Sequence, residues 1–113
     1  MKSIPEYDLH SPGMHADDAL AQFERIVSAH RMSREKMFAV ITGYGSTGGT
    51  NRIKSSILSK CRKYAAQNHI RGFLDGEKAG DMFSMEFLSF PDAAAIPLSY
   101  KRSCNPGVVI VSV

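Results

Sequence analysis

The sequence predicts an α/β domain: two main helices on a mixed, mainly parallel sheet of about four strands, as a two-layer sandwich. Three observations predict it. The hydrophobic period switches between strand and helix in the order β-α-β-α-β, then a lobe, then a last strand. The run Met37-Phe38-Ala39-Val40-Ile41 is apolar at every position, as a central strand covered on both sides or closely packed requires. The chain closes on Val108-Val109-Ile110-Val111-Ser112-Val113, whose β-branched apolar residues suit a buried strand.

Taken in order, residues 1–6 read as a lead-in, and Tyr7-Asp8-Leu9-His10 as a short first strand ended by Ser11-Pro12-Gly13. Ala16, Ala19, Leu20, Phe23, Ile26, Val27 and His30 then recur at helical spacing, with Asp17 and Asp18 in the first turn, where the dipole favours negative charge. His15 takes the cap position as a poor cap. Met37 to Thr42 form the second strand. From about Asn51 to Gln67, Ile53, Ile57, Leu58, Cys61, Tyr64 and Ala65 mark one face of a second helix, with Thr50 or Asn51 as N-cap. Ile70 to Leu74 make a third strand closed by Asp75-Gly76. The Phe- and Met-rich stretch Met82–Phe90 reads as a short helix or ordered lobe with a satellite core of its own. A linker from Ala93 carries the basic pair Lys101-Arg102 and ends in the turn Asn105-Pro106-Gly107.

With 113 residues and 43% hydrophobic content, the chain is long enough for one domain with its own core. A net charge of +3 favours polyanionic partners without demanding them. Cys61 and Cys104 fall in different elements without metal-ligand spacing, so reduced thiols, and with them a cytoplasmic setting, are the expectation. No apolar run approaches the ~18 residues of a membrane span, and the N-terminus lacks a leader's apolar core, so neither insertion nor secretion is expected.

The most chemically suggestive segment is Thr42-Gly43-Tyr44-Gly45-Ser46-Thr47-Gly48-Gly49, between a strand and a basic helix. Glycines let the backbone approach a ligand, hydroxyls donate, and the first N–H groups of a helix lack intrahelical partners, so the turn suits a phosphate. Gly43 to Gly48 spells GxGxxG, yet no acidic residue stands about twenty positions on, where a dinucleotide site needs one. No Lys-Ser or Lys-Thr ends the glycine run, which excludes a nucleoside-triphosphate loop. A general phosphate cradle remains. Arg52 and Lys54, expected in the first turn of the second helix, oppose its dipole unless an anion sits there.

Asp8 and His10, one residue apart on a strand, point the same way. Such a pair can orient a water and move protons, with Asp8 orienting His10 or holding a cation; seen alone, it is more often structural, a cap and a hydrogen-bonded imidazole. Right-handed crossovers bring this strand end and the glycine loop to the carboxyl edge of the sheet, where open α/β sheets bind ligands. Lys101 and Arg102 either add phosphate contacts or lie in a solvated loop.

Asp8-Leu9-His10 followed by Gly13-Met14 and Asp17-Asp18-Ala19-Leu20, together with Thr42-Gly43-Tyr44-Gly45-Ser46-Thr47-Gly48 and the strand Gly107-Val108-Val109-Ile110-Val111, resembles the Smr family of small MutS-related domains. The resemblance implies a two-layer fold like the C-terminal domain of the third bacterial initiation factor. It also implies binding of DNA or RNA and, in several members, nicking or endonuclease activity, with Mg²⁺ or Mn²⁺ as candidate cofactor. Asp8 and His10 would be the reactive pair; residues 42–49, Arg52, Lys54, Lys101 and Arg102 would hold the nucleic acid. The chain departs from the family pattern in three places. Ser11-Pro12 intervene before Gly13, Thr42 stands where the common bacterial loop has His, and a segment over about 76–103 is extra. Two other readings stay open: a non-catalytic module whose extra segment docks on another protein, and a small-molecule phosphate enzyme.

Overall fold

The computed structural model describes residues 4–9, 15–43, 50–81, 83–91 and 93–113. Four strands, β1 (Glu6–Asp8), β2 (Met37–Ile41), β3 (Gly72–Asp75) and β4 (Val108–Ser112), form one sheet in the order β1-β2-β4-β3. β1 runs parallel to β2, while β4 is antiparallel to both its neighbours. The sheet is therefore mixed and not mainly parallel, although β1, β2 and β3 all point the same way. The reason lies in the last connection. Residues 76–107 leave the sheet after Asp75 and return opposite it, at Val109, so β4 comes back between β2 and β3 in the reverse direction.

Helices α1 (Ala16–Arg31) and α2 (Thr50–Ala66) cover one face. Ala19, Phe23, Val27 and His30 are the buried stripe of α1, at the spacing of one helical face. The Asp18 carboxylate accepts from the His15 N–H at 3.3 Å, which relieves one orphan donor of the first turn. Helix α2 contributes Ile53, Ile57 and Cys61, one per turn. It ends with Asn68 at φ 58°, and the N–H groups of Asn68 and His69 bond back to the carbonyls of Ala65 and Tyr64, the αL closure that Asn tolerates. Thr50 is already helical, so neither Thr50 nor Asn51 is the N-cap.

His30 closes the helix-side core. Its Nδ1–H donates to the Glu35 carbonyl at 2.7 Å, which leaves Nε2 to accept the Tyr7 hydroxyl at 2.7 Å. The ring stacks on Phe38 with 4.7 Å between centroids. This histidine holds α1 to β1 and β2.

The sheet has a second covered face, so the fold is three-layered, not a two-layer sandwich. Alternation along the strands sends Phe38, Val40, Val109 and Val111 to α1 and α2, and Met37, Ala39, Leu74, Val108 and Ile110 to the other side. There the extra segment meets them with Ala79, Phe90, Ile96 and Tyr100. This explains why Met37–Ile41 is apolar throughout. The segment comprises a 3-10 turn at Gly76–Lys78, helix α3 (Met85–Ser89), a second 3-10 turn at Ala93–Ala95 and helix α4 (Leu98–Ser103). Phe87 and Phe90 pack into this layer, but Phe83, Met85 and Leu88 stay exposed, so the expected satellite core takes up only part of the Phe- and Met-rich stretch. The expected linker contains a helix. Pro97, which has no N–H to leave unsatisfied, precedes it, and Cys104 at φ 45° stops it, its N–H bonding to the Tyr100 carbonyl. Among the described residues no helix is long and apolar enough to cross a membrane.

Candidate functional site

The carboxyl ends of β1, β2 and β3 and the start of β4 share one edge of the sheet. Asp8 pairs in register with Ile41, and the Leu9 N–H donates to the Ile41 carbonyl at 2.9 Å. The exposed end of β1 thus lies directly beside the start of the glycine loop. Asp8 also borders an open hollow of about 420 Å³ with Tyr7, Gln22 and Arg25. His10, Tyr44, Gly45, Ser46, Thr47, Gly48 and Gly49 lie outside the described residues.

Thr42 and Gly43 set the course of the loop. Thr42 is fully buried, and its Oγ1–H has two acceptors within reach, the Gly43 carbonyl at 3.2 Å and the Gly107 carbonyl at 3.3 Å. The Gly107 carbonyl also accepts the N–H groups of Thr42 at 2.7 Å and Gly43 at 3.2 Å. Gly43 has φ 74°, a conformation that costs an L-residue roughly 1–2 kcal/mol. The positive φ of Gly43 is that of a tight turn, and the Thr42 side chain serves the fold. The anchor behind both is the turn Asn105–Gly107, in which the Asn105 side chain accepts the Gly107 N–H at 2.8 Å.

The four expected basic contacts separate. Arg52 is exposed near the start of α2. Lys54 lies past the first turn, because α2 begins at Thr50, and its Nζ sits 3.0 Å from Asp75 Oδ2. Both side chains of this pair are largely covered. The other oxygen of Asp75 accepts the Glu77 N–H at 3.0 Å, so one carboxylate caps the 3-10 turn and holds Lys54. Lys101 and Arg102 belong to the last turn of α4, where cations suit the dipole. Lys101 Nζ lies 5.9 Å from the centre of the Phe87 ring, and Arg102 is exposed.

Sequence reasoning missed Asp75 as the partner of Lys54 and the contact that ties the extra layer to β1. In that contact the Tyr100 hydroxyl donates to Glu6 Oε2, and burial, with the Glu6 carboxylate second, pushes the Tyr100 hydroxyl's pKa up. None of these pairings has a local signal; each joins residues distant in the chain. Among the described residues no three His, Cys, Asp or Glu side chains converge, so those residues form no ready site for Mg²⁺ or Mn²⁺. Away from this edge, burial pushes the Cys61 thiol up to about 12, which makes it an inert core group. No family model, curated protein or solved structure matches the chain.

Proposed function

We propose that this chain is a nucleic-acid-binding domain of the Smr type that nicks the phosphodiester backbone at the carboxyl edge of its sheet. The observation that supports it most is the parallel β1–β2 pairing. It sets Asp8 opposite Ile41, one residue before Thr42 and the positive-φ Gly43 that open the glycine loop. In this reading the Asp-x-His strand end and the phosphate-binding turn, distant in sequence, serve one site. The loop and Arg52 hold the backbone, Asp8 orients His10, and His10 moves the proton. Recognition is of phosphate and shape, since no element among the described residues offers base edges a recognition helix. The part that carries the resemblance, including that to the C-terminal domain of the third bacterial initiation factor, is the chain outside about 76–103, with β1, α1, β2, α2, β3 and β4; the layer over 76–103 is an addition on the far face.

A second reading, a binding module without cleavage, is favoured by one specific observation. Thr42, standing where the common bacterial loop has His, spends its hydroxyl on the backbone carbonyls of Gly43 and Gly107, so this position offers no acid or base.

Nicking of supercoiled plasmid and structured RNA, with Mg²⁺, Mn²⁺ or chelator, separates the two. Cleavage that disappears in Asp8→Ala and His10→Ala, while salt-dependent binding persists, supports the nuclease. Binding without cleavage in every condition supports the module. No binding at low salt overturns both.

A further inference from the structure

The strand that carries Asp8 is the shortest of the sheet and lies at its edge. β1 has three residues and, among the described residues, pairs only with β2. A short strand held on one side opens locally unless its side chains are tied down. Two tyrosine hydroxyls tie it, one on each face. On the helix side, Tyr7 of β1 bonds His30 Nε2 at 2.7 Å. On the other side, the buried Tyr100 of α4 donates its hydroxyl to Glu6 Oε2.

Successive residues alternate across a strand, so Asp8 follows Glu6 to the Tyr100 side, about 7 Å further along. Ile41, the register partner of Asp8, packs in the cluster on that same side. Asp8 therefore belongs to the face that carries the added layer. The chain beyond Tyr100 reaches the other half of the edge. After Cys104 ends α4, the turn at Asn105–Gly107 sets the Gly107 carbonyl against the Thr42 and Gly43 N–H groups, at 2.7 and 3.2 Å. Residues 100–107 thus bond both the strand of Asp8 and the opening of the glycine loop. A layer that only covered the apolar strands would need no polar bond to Glu6, an exposed residue of the edge strand.

We propose that Tyr100 is a positioning residue: through Glu6 it holds the end of β1, so that Asp8 keeps a fixed place relative to Thr42 and Gly43. The role rests on the reaction proposed at that edge, and it gives the layer over 76–103 a part in it. A reacting group displaced by about 1 Å costs on the order of a hundredfold in rate.

The test is Tyr100→Phe, which removes the hydroxyl and keeps the ring. At saturating nucleic acid the nicking rate should fall at least about tenfold, while the Kd for nucleic acid stays within about twofold. Amide exchange at Leu9, whose N–H bonds the Ile41 carbonyl, should quicken at least about tenfold relative to the amides of β4. Glu6→Ala should reproduce both changes, and the double variant should go no further. Glu6→Gln, which keeps an oxygen for the hydroxyl, should preserve the protection of Leu9. Phe90→Leu loosens the same layer beside Gly72 of β3, at the opposite edge of the sheet, and should leave the rate and Leu9 exchange as in the native chain. Unchanged Leu9 exchange in Tyr100→Phe overturns the proposal, as does faster exchange with an unchanged nicking rate, or an equal effect from Phe90→Leu. A native chain that never nicks overturns the proposed reaction itself, and the positioning role with it.

Discussion

Arg52 and Lys54 stand two residues apart near the start of one helix, yet the structure gives them different surroundings, and on the proposed function nucleic-acid binding should reveal the difference. Arg52 is exposed and can meet a phosphate directly. Lys54 is held 3.0 Å from Asp75 Oδ2, with the two side chains 16% and 23% exposed. A pair this sheltered contributes on the order of 1 kcal/mol once desolvation is set against attraction. Drawing Lys54 onto a phosphate forfeits that amount, about a fivefold loss in affinity. Each phosphate contact adds about 0.9 to the slope of log K against log salt. Arg52→Ala should therefore lower the slope by about 0.9, which reduces the affinity loss between 50 and 200 mM salt by about 3.5-fold. Lys54→Ala should leave the slope unchanged and cost about 1 kcal/mol of stability. Asp75→Asn keeps an oxygen for the Glu77 N–H and releases Lys54, so it should raise the slope by about 0.9. The assay is a filter-binding or anisotropy titration of a short duplex at several salt concentrations, with urea unfolding for stability. Equal slope losses for Arg52→Ala and Lys54→Ala would refute the division of roles.

Two further predictions concern the fold that carries the site. The Cys61 thiol has its pKa raised from 9.0 to about 12 by burial. The stability tied to its neutral form is thus fully present below pH 9 and is lost as pH rises toward 12, at about 1.4 kcal/mol per pH unit. Urea unfolding between pH 9 and pH 10 should show a steeper decline for the native chain than for Cys61→Ala, and equal declines would contradict a buried thiol. A Cβ at Gly76 would lie 2.3 Å from the Asn105 carbonyl oxygen and 2.8 Å from that of Val108. Gly76→Ala must therefore push apart the turn that anchors Thr42 and Gly43, costing roughly 1–3 kcal/mol; an unchanged urea midpoint would contradict the contact.

Local patterns carried most of the helix-side half of the fold into view. The stripe of α1, the face of α2 and the both-sided apolarity of Met37–Ile41 follow from helical and strand periods acting over neighbouring residues. The parallel meeting of Asp8 with Ile41 followed from the handedness of the β-α-β crossover. The far layer was not legible because its short elements bury only a few apolar residues each. Tyr100 and Ile96 face the sheet from α4 and the segment before it, but a six-residue helix is too short for a period to stand out. The direction of β4 depended on where residues 76–107 return, which no local signal records. The same holds within the site. The positive φ of Gly43 could be read from the residue type, whereas the commitment of Thr42 to Gly107 and of Lys54 to Asp75 joins positions 65 and 21 residues apart.

On the proposed function, nucleic acid is held at the edge where Asp8 lies beside the start of the glycine loop. Amide chemical-shift mapping with a short duplex, titrated at low salt, tests it most directly. The largest shifts should fall at residues 8–10, 42–49 and Arg52, with the β3 edge unmoved. Shifts confined to the outer face of α2 around Lys60 and Lys63, or to residues 72–75, would contradict it.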